Sequence, residues 1–310
     1  MDTKQLRYFS AVYERRNLSH AAQTCNVAQS AISHHLANLE AELGIKLFLR
    51  LPRGMEPTAA ACRLYEHAQA ILRGLEAARH DVAQLADELN GVLQVGVPFT
   101  VVEAVGVQLL QEMRDEHPRA TIVIHEALTS ELIRQVIGGQ HDLILCYNPP
   151  ADERLSLSFV IEEQLFCAGR PEFLGESCDP IDFENALKLP QITLRRGEAS
   201  RSLSTQARLL ESLHASALFE LNSVHLVRKA VAAGVGVAVT SYIAMRDLVE
   251  TGAVVARPVV NPCLTRGLHV ARLLDRLPTR LMETVQSKLV RLIGMEVSAG
   301  RWPTIIAGCD

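Results

Sequence analysis

Apolar residues recur at helical spacing along the first part of the chain, and polar residues occupy the positions between them. This pattern predicts three short helices, over about Thr3–Arg16, Ser19–Cys25 and 28–43, with Thr3 and Ser19 as N-caps. A tight turn at Asn26 and Val27 separates the second helix from the third. Two short helices around a tight turn are typical of a helix-turn-helix.

A short strand and a turn follow the third helix. Residues 46–50 predict the strand, and the stretch 52–57 has Pro at both ends and predicts a turn in which Gly54 adopts a positive φ. A strand and turn placed directly after a helix-turn-helix form a wing. We therefore predict a winged helix-turn-helix DNA-binding domain over residues 1–58.

The exposed start of the predicted recognition helix carries short or hydrogen-bonding side chains: Gln29, Ser30, Ser33 and His34. Such side chains can reach base edges in the major groove of DNA. On the predicted wing, Arg50 and Arg53 can contact the phosphate backbone or the minor groove. The alternatives are an ordinary helix pair within a core and two solvated surface arginines.

Residues 59–90 predict one long helix, interrupted only by Gly74. Its apolar positions keep a regular spacing of four and three: Leu64, Ala68, Ile71, Leu75, Ala78, Val82, Leu85 and Leu89. This spacing predicts a coiled-coil seam on a rod about 45 Å long. A second copy of the chain can cover the seam, so we predict a homodimer, which also presents two DNA-binding heads.

Strands alternate with helices over residues 91–297. This alternation predicts parallel sheets with right-handed crossovers, whose ligands bind at the carboxyl ends of the strands. Two separate strands are predicted near Leu157–Ile161 and Glu163–Ala168. Residues 298–310 are predicted to be a C-terminal tail.

The charge is unevenly distributed, as DNA binding by the head requires. The chain has a net charge of −4, but residues 1–58 carry +2 and the remainder −6. No run of apolar residues predicts a membrane span, and the polar N-terminus does not resemble a signal peptide. Seven cysteines without a Cys-x-x-Cys pair favour free thiols in the cytoplasm over a disulfide framework.

Motifs in the first 66 residues resemble those of LysR-type transcriptional regulators, more faintly those of the nitrogen assimilation control branch. The matching segments are Gln5-Leu-Arg-Tyr-Phe9, Asn17-Leu-Ser, Ala21-Ala22, Val27-Ala-Gln-Ser-Ala-Ile-Ser33, Leu39-Glu, Glu42-Leu-Gly44, Leu47-Phe48, Arg50, Arg53-Gly-Met and Pro57-Thr58. The remainder agrees with the family in order and length. One departure is His34, where the family often has Arg or Gln.

The resemblance implies an architecture and a set of partners. After the linker helix at 59–90 it implies a two-lobed α/β effector domain at 91–297 that resembles type 2 periplasmic binding proteins. Lobe I would comprise about 91–161 and 268–297, and lobe II about 162–267. Such regulators bind double-stranded promoter DNA as homodimers that assemble into homotetramers, and RNA polymerase is a further expected partner.

The resemblance also implies an effector site between the lobes, at the ends of strands and the starts of helices. The residues expected there are Phe99, Thr100, Thr129, Ser130, Cys146, Arg195, Arg196, Arg201, Asn222 and Ser223. Helix N-termini and arginines favour an anion, so the expected effector is a small organic acid. For each hydroxyl the alternative is a simple helix N-cap.

Other functions find little support in the sequence. The chain lacks a Gly-x-Ser-x-Gly elbow, a His-Glu-x-x-His motif and a phosphate-binding loop, so we expect no enzyme, no cofactor and no metal. The rival hypothesis is a thiol-based redox sensor of the same architecture, for which Cys167 and Cys178 are the candidates. The family's peroxide sensors carry their cysteines in a region that corresponds to about 199–208, where this chain has none.

Overall fold

The computed structural model of the chain describes residues 1–51, 54–83, 89–194 and 205–304. For residues 50, 73, 76–83 and 205–207 it describes the backbone and not the side chains. The chain divides into two compact units, which are described separately below. The first comprises Met1–Asp87 with Gly138–Gln140, and the second comprises Glu88–Ile137 and His141–Asp310.

The first unit contains the three predicted helices, the wing and the start of the long helix. Its elements are α1 (Thr3–Arg15), α2 (Leu18–Thr24), α3 (Gln29–Leu43), β1 (Phe48–Leu51), β2 (Gly54–Pro57) and α4 (Ala59–Ala83). The apolar faces of α1, α2 and α3 meet in one core, where Phe9, Ala21 and Ile32 are fully buried. The predicted helix-turn-helix and wing are therefore confirmed.

The caps of the first two helices differ from the prediction. Asp2, not Thr3, caps α1: its carboxylate accepts from the backbone N–H of Gln5 at 2.8 Å, and the Gln5 side chain accepts from the Asp2 N–H at 2.7 Å. Asn17, not Ser19, caps α2 by accepting from the N–H groups of Ser19 and His20. In each case a residue one or two positions before the predicted cap also carries a capping side chain.

The predicted coiled-coil seam is only partly available to a second copy. Ala68 is fully buried and Leu64 packs beside it, both against the core of the same head. Leu89 is buried in the core of the second unit, so its assignment to the seam is wrong. By contrast, Ile71 is 44% exposed on α4. The described part of the seam that faces outward thus begins near Ile71.

The second unit is a two-lobed α/β domain. Its first elements are β3 (Gly91–Val97), α5 (Phe99–Val101), a π-helical turn (Val102–Gly106), α6 (Val107–Glu116), β4 (Ala120–Glu126), α7 (Thr129–Ile137), β5 (Leu143–Tyr147), β6 (Leu155–Gly169), α8 (Pro171–Leu174) and β7 (Ile181–Asp182). They are followed by α9 (Phe183–Leu187), β8 (Gln191–Leu194), α10 (Thr205–Ala215), β9 (Ala217–Leu221), α11 (Val224–Ala232), β10 (Ala238–Ser241), a 3₁₀ turn (Tyr242–Met245), α12 (Arg246–Glu250), β11 (Val255–Val260), β12 (Thr265–Leu273) and α13 (Arg280–Ser298).

The main sheet is mixed rather than parallel. Its strand order is β4-β3-β5-β12-β6-β11-β7, with β10 also paired to β6. Strand β3 runs parallel to β4 and β5, as alternating strands and helices predict, but β12 is antiparallel to both β5 and β6. The prediction of purely parallel sheets is wrong because β6 and β12 are long strands that cross between the lobes in opposite directions.

Strand β6 replaces the two strands predicted at 157–161 and 163–168. It continues through the polar pair Glu162 and Glu163 because both residues still pair with β12 and the strand keeps its direction. Up to Gln164 it pairs with β12, and from Leu165 onward it pairs with β10 on one side and β11 on the other. We use lobe I for β3–β5 with α5–α7 and α13, and lobe II for β7–β11 with α8–α12.

The C-terminal residues belong to the fold as far as they are described. Helix α13 extends to Ser298, and Trp302 beyond it is 1% exposed within the core of lobe I. The prediction of a tail from residue 298 is therefore wrong for residues 298–304, and residues 305–310 lie outside the described part of the chain. Of the described helices, none is both long and apolar enough to cross a membrane.

Candidate functional sites

The predicted DNA-reading residues lie together at the start of α3. Its inward positions Ile32, Leu36 and Leu39 are buried, which leaves Gln29, Ser30 and His34 exposed. Ser33 is half-buried on the same face. Because residues four apart on a helix share a face, the four predicted side chains form one polar surface on α3.

Hydrogen bonds orient part of this surface. The Ser19 hydroxyl donates to the Gln29 side-chain carbonyl at 3.0 Å and so ties the start of α2 to the start of α3. A ring nitrogen of His34 lies 3.1 Å from the side-chain amide nitrogen of Asn38 one turn further on. The amide NH₂ of Gln29 takes no part in its bond to Ser19, which leaves two donors of the kind that can read a base edge.

The wing is held by two anchors. The N–H of Met55 donates to the Arg16 carbonyl at 2.8 Å, and a Cβ on Gly54 would lie only 2.5 Å from that oxygen. Gly54 also has a φ of +139°, so the predicted positive φ is confirmed. At the other end, the Glu40 carboxylate accepts from the backbone N–H groups of Leu47 and Phe48.

Of the two predicted wing arginines, the structure describes the backbone of Arg50 and no part of Arg53. Arg50 pairs through its backbone with Met55 in the β1–β2 hairpin, and its side chain is not described. Arg53 lies outside the described residues, between β1 and β2 in the sequence. Their contact with DNA stays a prediction.

In the second unit, a cavity of about 210 Å³ lies between the two lobes. Lobe I contributes residues from the start of α7 and the end of β5: Leu128, Thr129, Ser130, Ile133, Tyr147, Asn148 and Pro150. Lobe II and the crossing strands contribute a mostly apolar wall: Leu165, Ile192, Thr193, Leu194, Leu210, Leu213, His214, Val224, Val227, Ala238, Val239, Thr240, Met245 and Arg266.

Thr129 and Ser130 line the cavity as predicted. They occupy the first turn of α7, where backbone N–H groups have no partner within the helix and the helix dipole favours negative charge. The Thr129 hydroxyl accepts from the Tyr147 N–H at 3.0 Å, so it also fixes the end of β5 beside α7. This corner of the cavity therefore offers donors to an anion.

Arg266 is the cation of the cavity wall among the described lining residues, and the sequence did not single it out. It forms an ion pair with the fully buried Glu163, and its guanidinium carbon lies 3.6 Å from the centre of the Tyr147 ring. Burial disfavours the charged guanidinium, but the Glu163 carboxylate outweighs this effect and keeps the pKa of Arg266 above its ordinary value. The cavity wall thus carries a permanent positive charge on Arg266, and its ionic partner Glu163 is not among the described lining residues.

Thr193 presents a polar atom to the cavity from the lobe II side. Its side chain is 5% exposed, and its Oγ1 has no hydrogen-bond partner in the described structure. Buried hydroxyls are nearly always paired, so an unpaired one that lines a cavity indicates where a ligand group or an ordered water binds.

Three of the predicted residues of lobe I, Phe99, Thr100 and Cys146, are not among the described residues that line the cavity. Cys146 is fully buried in a core cluster with Leu132 and Ala271, because it points to the opposite face of β5 from Tyr147. Burial raises the pKa of the Cys146 thiol to about 12. Phe99 and Thr100 are not among the described lining residues, so predicted contact of all three with an effector is not supported.

Phe99 and Thr100 have other contacts that explain their positions. The guanidinium carbon of Arg228 in α11 lies 5.4 Å from the centre of the Phe99 ring, a contact between the two lobes. The Thr100 hydroxyl lies 2.8 Å from the Tyr147 hydroxyl. Thr100 therefore acts on the cavity through the tyrosine.

The remaining predicted residues are in lobe II. Asn222 is exposed, and Ser223 caps α11 by accepting from the Leu226 N–H at 3.3 Å, so the N-cap alternative holds for Ser223. The same helix lines the cavity with Val224 and Val227 instead. The three arginines predicted to bind the anion, Arg195, Arg196 and Arg201, lie outside the described residues.

Comparison with known families identifies this architecture. The model of the bacterial regulatory helix-turn-helix protein, lysR family, matches residues 3–62, and the model of the LysR substrate binding domain matches residues 86–290. The chain belongs to the LysR family. It is thus a DNA-binding transcriptional regulator with an effector-binding domain.

LysR proteins of known function are similar over almost the whole chain. The nitrogen assimilation regulatory protein nac of Escherichia coli (strain K12) is 30% identical over 299 residues, which cover 96% of this chain and 95% of that protein. The DNA-binding transcriptional dual regulator OxyR of the same strain is 25% identical over 268 residues, 84% of this chain and 86% of OxyR. The similarity to the nitrogen assimilation branch is confirmed.

Solved LysR structures share the fold. A full-length OxyR variant from Pseudomonas aeruginosa has a TM-score of 0.69 at 22% identity, covering 94% of this chain and 95% of that one. Full-length CbnR in complex with its target DNA has a TM-score of 0.65 at 19% identity, covering 95% and 99%. At these identities the likeness is one of architecture, and it matches the predicted order of head, linker helix and two-lobed domain.

Proposed function

We propose that the DNA binding of this LysR-family regulator is controlled by a small organic anion with an apolar body, bound in the cavity between the two lobes. The observation that carries the proposal is the lining of that cavity. One end combines the first turn of α7 with the Arg266 guanidinium. The opposite wall is mostly apolar, and its described polar residues are Thr193, whose hydroxyl is unpaired, His214 and Thr240.

The size and lining of the cavity limit the class of effector. Pockets for drug-sized ligands are about 300–1,000 Å³. A cavity of about 210 Å³ favours a smaller molecule. Its lobe II wall includes Leu165, Ile192 and Met245, which favour a compact apolar body over a sugar or a nucleotide.

The charge of the cavity favours a single negative group on that molecule. Arg266 already has Glu163 as a partner, so a carboxylate near it would be held jointly by the guanidinium and by the N–H groups and hydroxyls at Thr129 and Ser130. The arginines predicted at 195, 196 and 201, which lie outside the described residues, would add to this attraction. A neutral analogue of the same shape should bind less well.

The DNA-binding part of the proposal rests on the surface of α3. Gln29, Ser30, Ser33 and His34 would read bases in the major groove, while Arg50 and Arg53 of the wing would contact the backbone. Two heads joined through the outward face of α4 would bind two half-sites, and a homotetramer would result from further contacts between effector domains. The structural likeness to CbnR, which was solved in complex with its target DNA, supports DNA as the partner of the head.

Control by the effector follows from its position between the lobes. A ligand shifts an equilibrium only by its different affinities for two arrangements, and a molecule held by both lobes favours the arrangement in which both contact it. The strands β6 and β12, which run through both lobes, are the connection about which such closure would occur. Couplings of this type are usually worth about 1–3 kcal/mol, so the response should be graded.

Thermal unfolding of the full-length protein with matched acids and amides tests the proposal. Benzoate and hexanoate should raise the melting temperature more than benzamide and hexanamide, because only the acids carry the charge. Thr193→Val removes the unpaired hydroxyl at nearly constant volume, so it should leave the free protein as stable as before and reduce the shift given by the acids.

A matched control separates the site from a general effect of salt. Ser158 is exposed on β6 and does not line the cavity, so Ser158→Ala should respond to the acids as the wild type does. Equal shifts with acids and amides would refute the anionic class. Equal shifts in the wild type and in Thr193→Val would place the ligand elsewhere.

A further inference from the structure

Glu163 has a fully buried carboxylate that accepts hydrogen bonds from three separate parts of the effector domain. Its Oε1 accepts from the Arg266 guanidinium of β12. Its Oε2 accepts from the Ser241 hydroxyl of β10 at 2.9 Å and from the indole N–H of Trp302 at 2.6 Å. Arg266 lines the cavity and Trp302 does not, so one carboxylate connects the cavity wall to the C-terminal part of the chain.

Residues 296–304, which we call the C-terminal clasp, contact elements on both sides of the lobe boundary. The Trp302 ring lies in the core of lobe I, while its N–H reaches Glu163 on the crossing strand β6. Thr304 forms a backbone bridge with Glu163. At the start of the clasp, the buried Glu296 pairs with Arg246 of lobe II at 3.5 Å.

A second ion pair stiffens the clasp internally. The Arg301 guanidinium donates to both carboxylate oxygens of Glu296, at 2.9 Å and 2.5 Å. The backbone N–H of Trp302 donates to the backbone carbonyl of Glu296. The clasp is therefore a closed turn at the end of α13, fixed to lobe II at Arg246 and to the crossing strand at Glu163. A change in the position of either attachment must displace the turn as a whole.

We propose that the C-terminal clasp senses the occupancy of the cavity through Glu163. The proposal rests on the function proposed above, in which an anion engages Arg266. An anion that draws the guanidinium toward the cavity leaves Glu163 with less positive charge on its Oε1 side. Glu163 then depends more on Trp302 and Ser241, so its bond to the indole strengthens and the clasp is held more tightly to the crossing strand.

The arrangement of the donors favours a relay over a purely structural ion pair. A buried charge pair often contributes no more stability than apolar residues of similar volume, so stability alone does not require one here. The donors of Glu163 come from three elements that are far apart in the chain, and one of them faces the cavity. Shared hydrogen bonds of this kind make the positions of their members depend on one another.

The experiment uses the only tryptophan of the chain as its reporter. Because Trp302 is the sole tryptophan, the emission excited at wavelengths that tyrosine does not absorb comes from the clasp. In the absence of any added acid, Arg266→Lys keeps the positive charge but loses the planar guanidinium that pairs with Glu163. It should shift the emission maximum of Trp302 and change its quenching by acrylamide.

The matched control is Arg257→Lys. Arg257 holds the backbone carbonyls of Leu174, Asp179 and Pro180, and it does not line the cavity. This variant should leave the emission and quenching of Trp302 unchanged. If Arg266→Lys keeps the native circular dichroism and also leaves both quantities unchanged, the cavity wall and the clasp are independent and the proposal is overturned.

A second arm adds benzoate and hexanoate to the wild type and measures emission and melting temperature together. Stabilisation with a change in Trp302 emission supports the relay. Stabilisation without any change in emission overturns the relay and leaves the proposed effector site standing. If neither acid stabilises the protein, the proposed effector class fails, and the comparison of Arg266→Lys with Arg257→Lys still decides whether the clasp responds to the cavity wall.

Discussion

The hydroxyl groups of Thr100 and Tyr147 lie 2.8 Å apart in the interior of lobe I. Both residues are buried, and Tyr147 carries the guanidinium of Arg266 over its ring. Burial, and secondarily the charge of Glu163, raises the pKa of Tyr147 well above its ordinary value, so the phenol stays protonated. Thr100 thus sets the orientation of a ring that forms part of the cavity wall.

Replacing Thr100 by Val should destabilise the effector domain. The change keeps the volume but leaves the buried hydroxyl of Tyr147 without this partner, which costs about 1–3 kcal/mol. Thr100→Ser retains the hydroxyl and should lose less. Urea unfolding of the two variants measures the difference, and a Thr100→Val variant as stable as the wild type would show that Tyr147 finds another partner.

The assigned DNA surface on α3 and the wing predicts two distinguishable effects on DNA binding. Gln29→Ala should relax sequence preference, because a good bidentate contact to a base contributes about 1–3 kcal/mol of discrimination. Arg53→Ala should weaken binding to all sequences and reduce the slope of affinity against salt by about 1. Mobility-shift titrations at several salt concentrations, on a duplex selected from random DNA and on a scrambled one, measure both effects.

Gln108→Ala is the matched control for these variants. Gln108 is an exposed glutamine on α6, in the effector domain, and its loss should change neither specificity nor salt dependence. Gln29→Ala with unaltered preference and Arg53→Ala with unaltered affinity would together exclude the assigned DNA surface.

The outward face of α4 predicts the oligomeric state. Leu75 is half-buried in the single chain and lies on the predicted seam beyond the part that packs on its own head. In a dimer, Leu75→Glu would bury a charge without a partner, so it should give monomers in sedimentation velocity. Leu277→Glu, at a 90% exposed position, is the control and should keep the wild-type mass. A soluble Leu75→Glu variant of wild-type mass would place the dimer contact elsewhere.

The burial of the cysteines predicts which thiols react and so tests the redox-sensor hypothesis. Cys146 and Cys167 are fully buried, and burial raises the pKa of each thiol to about 12, whereas Cys62 and Cys178 are exposed. Since the thiolate is the reactive form, iodoacetamide should modify the exposed pair first and leave the buried pair intact in the native protein. Mass spectrometry after brief alkylation checks this order. Rapid, selective oxidation of Cys167 by peroxide would revive the redox hypothesis.

The fold of the head and the exposed face of α3 were predictable from local signals. Apolar spacing places Ile32, Leu36 and Leu39 on one side of α3 and thereby assigns Gln29 and His34 to the other. Such information lies within a few turns of chain. The caps at Asp2 and Asn17 were missed by one or two positions, because neighbouring Thr3 and Ser19 are capping residue types as well.

The cavity was less predictable because its members meet only after long-range pairing. Glu163 and Arg266 are about a hundred positions apart and face each other because β6 and β12 are antiparallel. The local signal was the pair of acidic residues Glu162 and Glu163 between two apolar stretches of β6, which indicates a polar contact without revealing its partner. Alternation along β5 could have separated Cys146 from Tyr147, since only one of two neighbours on a strand can face the cavity.

The register of the crossing strands makes lobe II an insertion into lobe I. Gln164 and Thr265 are paired partners on antiparallel strands, so the chain leaves lobe I and returns to it at adjacent points. A short hairpin turn between these two residues would therefore close lobe I without the residues between them. An ancestral or engineered exchange of the entire segment would alter what the cavity recognises and would replace Ser241 and Arg246, while retaining the bonds of Glu163 to Arg266 and Trp302.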